Sequence, residues 1–98
     1  MAEVRWTEQA SDDLQATTEF IAHDSPEYAS LFATDVIDVV DRIFTFPQMG
    51  RMVPETHNTD IREVILGNYR IVYRVRGYDV EVLTVYHSAR LFDPSTIF

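Results

Sequence analysis

The spacing of apolar residues changes period once along this chain, and that one change constrains the fold more than any other feature. Up to about residue 44 the apolar residues recur at helical spacing, and from residue 61 they alternate with a period of two. In the helical part, Ala10, Leu14, Thr17 and Ile21 share one face of a helix read from about Glu8 to Ala22. Thr7 stands where an N-cap is needed, and Glu8 places negative charge in the first turn. The second helix runs from about Pro26 to Phe44, with Ser25 as its N-cap and Pro26 at its first position. Its apolar stripe is Ala29, Phe32, Ala33, Val36, Ile37, Val40, Ile43 and Phe44, while Asp35, Asp38 and Asp41 mark a solvated face. Two helices joined this tightly are expected to form an antiparallel hairpin.

In the alternating part, three strands are expected at Ile61–Leu66, Tyr69–Arg76 and Asp79–His87, joined by turns at Gly67-Asn68 and Gly77-Tyr78. Pro47 and Gly50 interrupt the pattern, so Phe46 to Asp60 reads as a loop. Ala2 to Trp6 reads as a short extended segment with Val4 and Trp6 on one face. Ser88 to Phe98 is left as a tail holding at most a short turn or strand. The expected architecture is α+β over a single domain, residues 1–98: a short N-terminal strand, a helical hairpin, then a three-stranded antiparallel meander, βααβββ.

Charge divides the chain in the same place. Met1 to Asp41 holds ten acidic residues against Arg5 alone, a balance of −9, and Arg42 to Phe98 holds six against seven arginines, +1. There is no lysine, so every basic residue is an arginine, the better planar donor to phosphate or carboxylate. A net charge of −8 argues against a surface that coats nucleic acid. With no cysteine, disulfides and thiolate chemistry are excluded, which fits a reducing cytoplasm. His23, His57 and His87 show no metal-ligand spacing, so neither a metal nor another cofactor is expected. No basic stretch leads into an apolar run at the N-terminus and no run reaches membrane-helix length, so neither a signal peptide nor a membrane is expected.

A two-residue loop at Gly77-Tyr78 sets a register in which Arg76 faces Asp79, Arg74 faces Glu81, Val72 faces Leu83 and Arg70 faces Val85. The other face then carries Tyr69, Ile71, Tyr73 and Val75 with Val80, Val82, Thr84 and Tyr86, and is expected to meet the helices. On the charged, open face Arg74 and Arg76 have carboxylates opposite. Arg70 has none, and His87 is its diagonal neighbour. Arg70, His87 and Arg90 are therefore a candidate cationic cluster, at which Arg70→Ala is expected to leave the fold intact. A structural reading stands beside it, in which Arg70 pairs with Glu63 and His87 ends a strand.

Several local patterns, in this order, resemble the RelE/ParE superfamily of toxins over nearly the whole chain. They are Val4 to Thr7, Asp13-Leu14, Asp24-Ser25-Pro26, Phe46-Pro47 with Gly50-Arg51, Arg62-Glu63, Tyr69 to Arg74, and Val85 to Arg90. The look is nearest to the ParE-like, plasmid-stabilisation branch. The resemblance implies the toxin of a type II toxin–antitoxin system that inhibits growth. A cognate antitoxin would neutralise it by wrapping a helix and strand around it, in a toxin–antitoxin hetero-oligomer. Superfamily members either block DNA gyrase or cleave messenger RNA on the ribosome without a metal. For a nuclease, the resemblance implies Arg70 at the scissile phosphate and His87 near the proton transfers, with Glu55 and Arg90 as further candidates. Arg62, Arg70, Arg74 and Arg90 are the candidate binding residues in either case. Ribosome-directed members are usually basic and rich in lysine, so an acidic chain without lysine points first to gyrase. A non-toxic α+β binding module is the third expectation.

Overall fold

The computed structural model describes residues 2–89. The elements are β1 (Val4–Trp6), α1 (Glu8–Asp24), α2 (Pro26–Thr45), β2 (Arg51–Met52), a 3-10 turn (Pro54–Thr56), β3 (Ile61–Leu66), β4 (Tyr69–Arg76) and β5 (Asp79–His87). The five strands form one sheet in the order β1-β5-β4-β3-β2. β1 runs parallel to β5, and every other pair is antiparallel. This is the α+β architecture expected from the pattern of periods, with β2 added.

The helix starts follow from local chemistry. Thr7 Oγ1 accepts from the Ala10 amide at 3.0 Å, and Ser25 Oγ accepts from the Tyr28 amide at 3.1 Å. Each cap satisfies an amide that the helix leaves orphaned, a contribution of about 1 kcal/mol. Thr7 Oγ1 also donates to the Leu83 carbonyl, so the same side chain starts α1 and ties it to β5. At Gly67 and Gly77 the backbone has positive φ, 58° and 59°, which puts glycine first in both two-residue hairpin turns.

The helices pack on one face of the sheet. Ala10, Phe32, Val36, Val39, Val40 and Ile43 form a buried cluster with Ile71, Tyr73, Val80, Val82 and Val85. The α2 stripe lies slightly to one side of the expected one: Val39 is buried, whereas Ile37 and Phe44 stay exposed. The other face is not open. Val53, Ile61, Val72, Leu83 and Tyr86 form a second cluster, and Val53 comes from the segment read as a plain loop. That segment pairs as β2 with β3 and brings Val53 onto the sheet, burying apolar surface that the strands alone would expose.

The β4–β5 register agrees with expectation from the turn as far as Tyr73 opposite Val82, then slips. Val72 lies opposite Thr84, so Leu83 is passed over in a β-bulge. Beyond it every partner moves by one: Arg70 faces Tyr86 instead of Val85, and Tyr69 faces His87. Because side chains alternate with period two, the slip exchanges the two faces of β5 from Val85 onward. Val85 joins the helix-side cluster and Tyr86 the opposite one.

Tyr73 joins the strands to the α2–β2 connection. Its side chain is fully buried, and its hydroxyl donates to the Pro47 carbonyl at 2.7 Å and accepts from the Gly50 amide at 2.9 Å. Gly50 fits because it has no side chain. A Cβ there would lie 2.6 Å from that hydroxyl and 2.7 Å from the Glu63 carbonyl oxygen. Tyr73→Phe keeps the ring and strands both buried partners, at a cost of about 1–3 kcal/mol. Denaturant unfolding followed by the fluorescence of Trp6 should show a lower midpoint at unchanged slope, and an unchanged midpoint would show that the hydroxyl carries no stability.

Candidate binding face

Strands β3 and β4 place Glu63 and Arg70 beside each other, on the sheet face covered by Val53. The Glu63 side chain is 0% exposed, and Arg70 Nη1 donates to both of its oxygens, at 3.2 and 3.0 Å. Arg51, on the edge strand β2, approaches the same carboxylate at 3.4 Å while remaining mostly exposed. Tyr86 lies opposite Arg70 and is hydrogen-bonded to it. Desolvation alone would pull the Arg70 guanidinium down. The hydrogen bonds and charge of Glu63, and then Tyr86, outweigh it and leave Arg70 above its ordinary value. Burial first, then the negative charge of Glu63, pushes the Tyr86 hydroxyl up, with Arg70 acting in the opposite direction and Glu55 adding to the rise. The face thus holds a buried carboxylate satisfied by two guanidiniums, beside a tyrosine held in its neutral form.

The expected cluster of Arg70, His87 and Arg90 takes a different form. The bulge at Leu83 removes His87 from Arg70, setting its ring edge-on to Tyr69 at 5.1 Å, with Nδ1 accepting from the Ala89 amide. Arg70 is not the unpaired arginine of the expected register, since the structural reading of an Arg70–Glu63 pair holds. With that pair in place, Arg70 is not the open-face residue from which a harmless Arg70→Ala is expected. Arg90 lies outside the described residues. Arg74 pairs with Glu81 across the strands as expected. Arg62 donates to the Gly50 carbonyl at 2.8 Å, spending part of its guanidinium on the α2–β2 connection. Glu55 sits exposed on the 3-10 turn, close enough to act electrostatically on Tyr86.

Two participants escaped the sequence reading. Strict alternation carried through Leu83 puts Tyr86 on the helix side, and the break at Pro47 and Gly50 puts Arg51 in a loop. The available signal was Thr84, a polar residue inside a run of apolar ones, at the point where the alternation fails. Thr84 Oγ1 and the Val85 amide both donate to Oδ2 of Asp13 on α1, so the irregularity has a partner across the layer.

Removing Arg70 leaves Glu63 buried with only the exposed Arg51 near it. Arg70→Ala should therefore destabilise the fold by on the order of 3 kcal/mol, and a paired apolar replacement, Arg70→Met with Glu63→Leu, should recover most of that. Thermal and denaturant melts of the three proteins check both statements. A single variant as stable as the parent would mean that Glu63 reaches solvent.

The family model described as ParE toxin of type II toxin-antitoxin system, parDE, matches residues 4–92. The chain is 34% identical over 92 residues to Toxin RelE2 of Caulobacter vibrioides, covering 93% of this chain and 100% of that protein. Its fold is similar to the chromosomal ParDE toxin–antitoxin system from P. aeruginosa, with TM-score 0.71 and 22% identity over 89% of this chain and 96% of that one. It is also similar to the toxin–antitoxin complex RelBE2 from Mycobacterium tuberculosis, with TM-score 0.56 and 22% identity over 87% of this chain and 95% of that one.

Proposed function

The chain belongs to the ParE toxin family of type II toxin–antitoxin systems, within the RelE/ParE superfamily, and from that premise we propose that it arrests growth by binding DNA gyrase rather than by cleaving RNA. The observation that carries this reading is the Arg70–Glu63 pair. A metal-independent ribonuclease needs a base for the 2′-hydroxyl, an acid for the leaving oxygen, and uncompensated cations for the phosphorane-like charge. Here the arginine that the superfamily resemblance assigns to the phosphate is bound on both oxygens of a buried carboxylate. A phosphate approaching it must compete with Glu63 for the same guanidinium. His87, the proposed proton carrier, is turned away from that arginine. The net charge of −8 and the absence of lysine further weaken general attraction to ribosomal RNA.

One observation favours the alternative, a ribosome-dependent endoribonuclease of the RelE type. Arg70 and Tyr86 share a face with Glu55 in electrostatic reach, and a neutral tyrosine can donate a proton. In that reading Tyr86 takes the place given to His87. Under either reading the partner that restrains the chain is a cognate antitoxin, in a hetero-oligomer, and the site of action is the cytoplasm. Among the described residues no helix is long and apolar enough to cross a membrane.

Expressed without its antitoxin, the protein should stop growth, and co-expression of the antitoxin should restore it. Purified protein freed of antitoxin should inhibit supercoiling of relaxed plasmid by gyrase or trap gyrase-cleaved DNA, and should leave messages intact in a translating extract. Untouched gyrase together with cut messages would reverse the assignment.

A further inference from the structure

Two recesses meet at Tyr69 and His87, on the helix side of the sheet. One, of about 420 Å³, lies between α1 and the ends of β4 and β5, with Asp13, Phe20, Tyr69 and His87 in its wall. The other, of about 330 Å³, is bounded by Tyr28, Phe32 and Asp35 and by the β3–β4 turn. Among the described residues neither is lined by an arginine or a lysine.

Among the described residues, the carboxylate in the first recess is held in place by neutral donors. Asp13 accepts from Gln9 Nε2 at 2.7 Å, from the Val85 amide at 3.2 Å and from Thr84 Oγ1. All three donors are uncharged, and Asp13 takes part in none of the ion pairs among the described residues. Around it stand aromatic groups. Tyr69 packs against His87 and, at 4.9 Å, against Phe32, while Phe20 is 73% exposed at the rim. The wider surface has the same sign. From Glu8 to Thr45 the two helices carry nine acidic residues against the single Arg42 in the last turn of α2.

A fixed, half-buried carboxylate beside aromatic rings is the chemistry that receives a cation. A guanidinium or ammonium group gains a charge-assisted hydrogen bond from the carboxylate and attraction from the ring faces. We propose that this recess is the receptor for an arginine or lysine side chain of the antitoxin, carried on a segment whose apolar residues cover Phe20. The proposal rests on the toxin–antitoxin reading above and adds the chemistry of the partner. Electrostatic complementarity then draws the basic segment to the acidic helical layer, while Asp13 sets its register.

The test uses isotope-labelled protein titrated with N-acetyl-arginine amide and, separately, with its uncharged isostere N-acetyl-citrulline amide. The arginine compound should shift the amide signals of Asp13, Phe20, Val85 and His87 and bind about tenfold or more tightly than the citrulline compound. In Asp13→Asn, which keeps an acceptor oxygen for Thr84 and Val85, that preference should vanish. In the complex with the antitoxin the same signals should no longer respond to the arginine compound. Equal response to the two compounds overturns the receptor, and so does full preference retained by a folded Asp13→Asn. If that variant does not fold, the comparison of the two compounds on the parent protein decides. Persistent response in the complex overturns the antitoxin as occupant. Growth arrest by the unpartnered chain is scored apart from these titrations, so its failure sinks the toxin reading and leaves the receptor result standing.

Discussion

Much of the molecule depends on one irregularity in one strand pair, the bulge at Leu83 held by the carboxylate of Asp13. A sheet with strict alternation would carry Tyr86 and His87 on the opposite faces from those they occupy. By inserting Leu83, β5 turns Val85 toward the helices and Tyr86 toward Arg70, and leaves His87 beside Tyr69. A bulge leaves ladder groups unpaired, and Asp13 supplies an acceptor for the Val85 amide and the Thr84 hydroxyl. The same contact joins α1 to the sheet, so the packing of the layers and the composition of both faces share a cause.

The two faces are electrically different as a result. On the β2-covered side, charge is internal: Glu63 is satisfied by Arg70 and Arg51, and Tyr86 stays protonated among them. An ion pair of this kind adds little to stability relative to apolar residues, yet breaking it is expensive. It therefore fixes the arrangement of the face more than it strengthens the fold. On the helical side the charge is external, and Asp13 takes part in none of the ion pairs among the described residues. On the first face a phosphate would compete with Glu63 for Arg70, and on the second it would meet the acidic helices.

The parts of this fold that could be read from sequence are those governed by local rules. The three meander strands end where glycine and the alternation place them, and both helices start at Thr7 and Ser25 because their hydroxyls cap the first turn. The pairing of Arg74 with Glu81 was legible because it lies close to the turn that sets the register. What lay beyond reach depended on contacts between distant segments. The bulge needs Asp13, seventy-one residues from Thr84 in sequence. β2 forms only because β3 offers an edge, and its two residues carry no alternation to detect. The candidate site is least legible, since Arg70 and His87 both lie beyond the slip as counted from the turn, where every partner moves by one.

The most direct test of this account is the strand register itself, measured by nuclear Overhauser contacts across β4 and β5. The bulge predicts backbone contacts between Arg70 and Tyr86 and between Tyr69 and His87, with ring protons of Tyr86 near the methyl groups of Val72 and Leu83. Contacts of Arg70 with Val85, and of the Tyr86 ring with Val36 or Val40 on α2, would place the strands in uninterrupted alternation and contradict it.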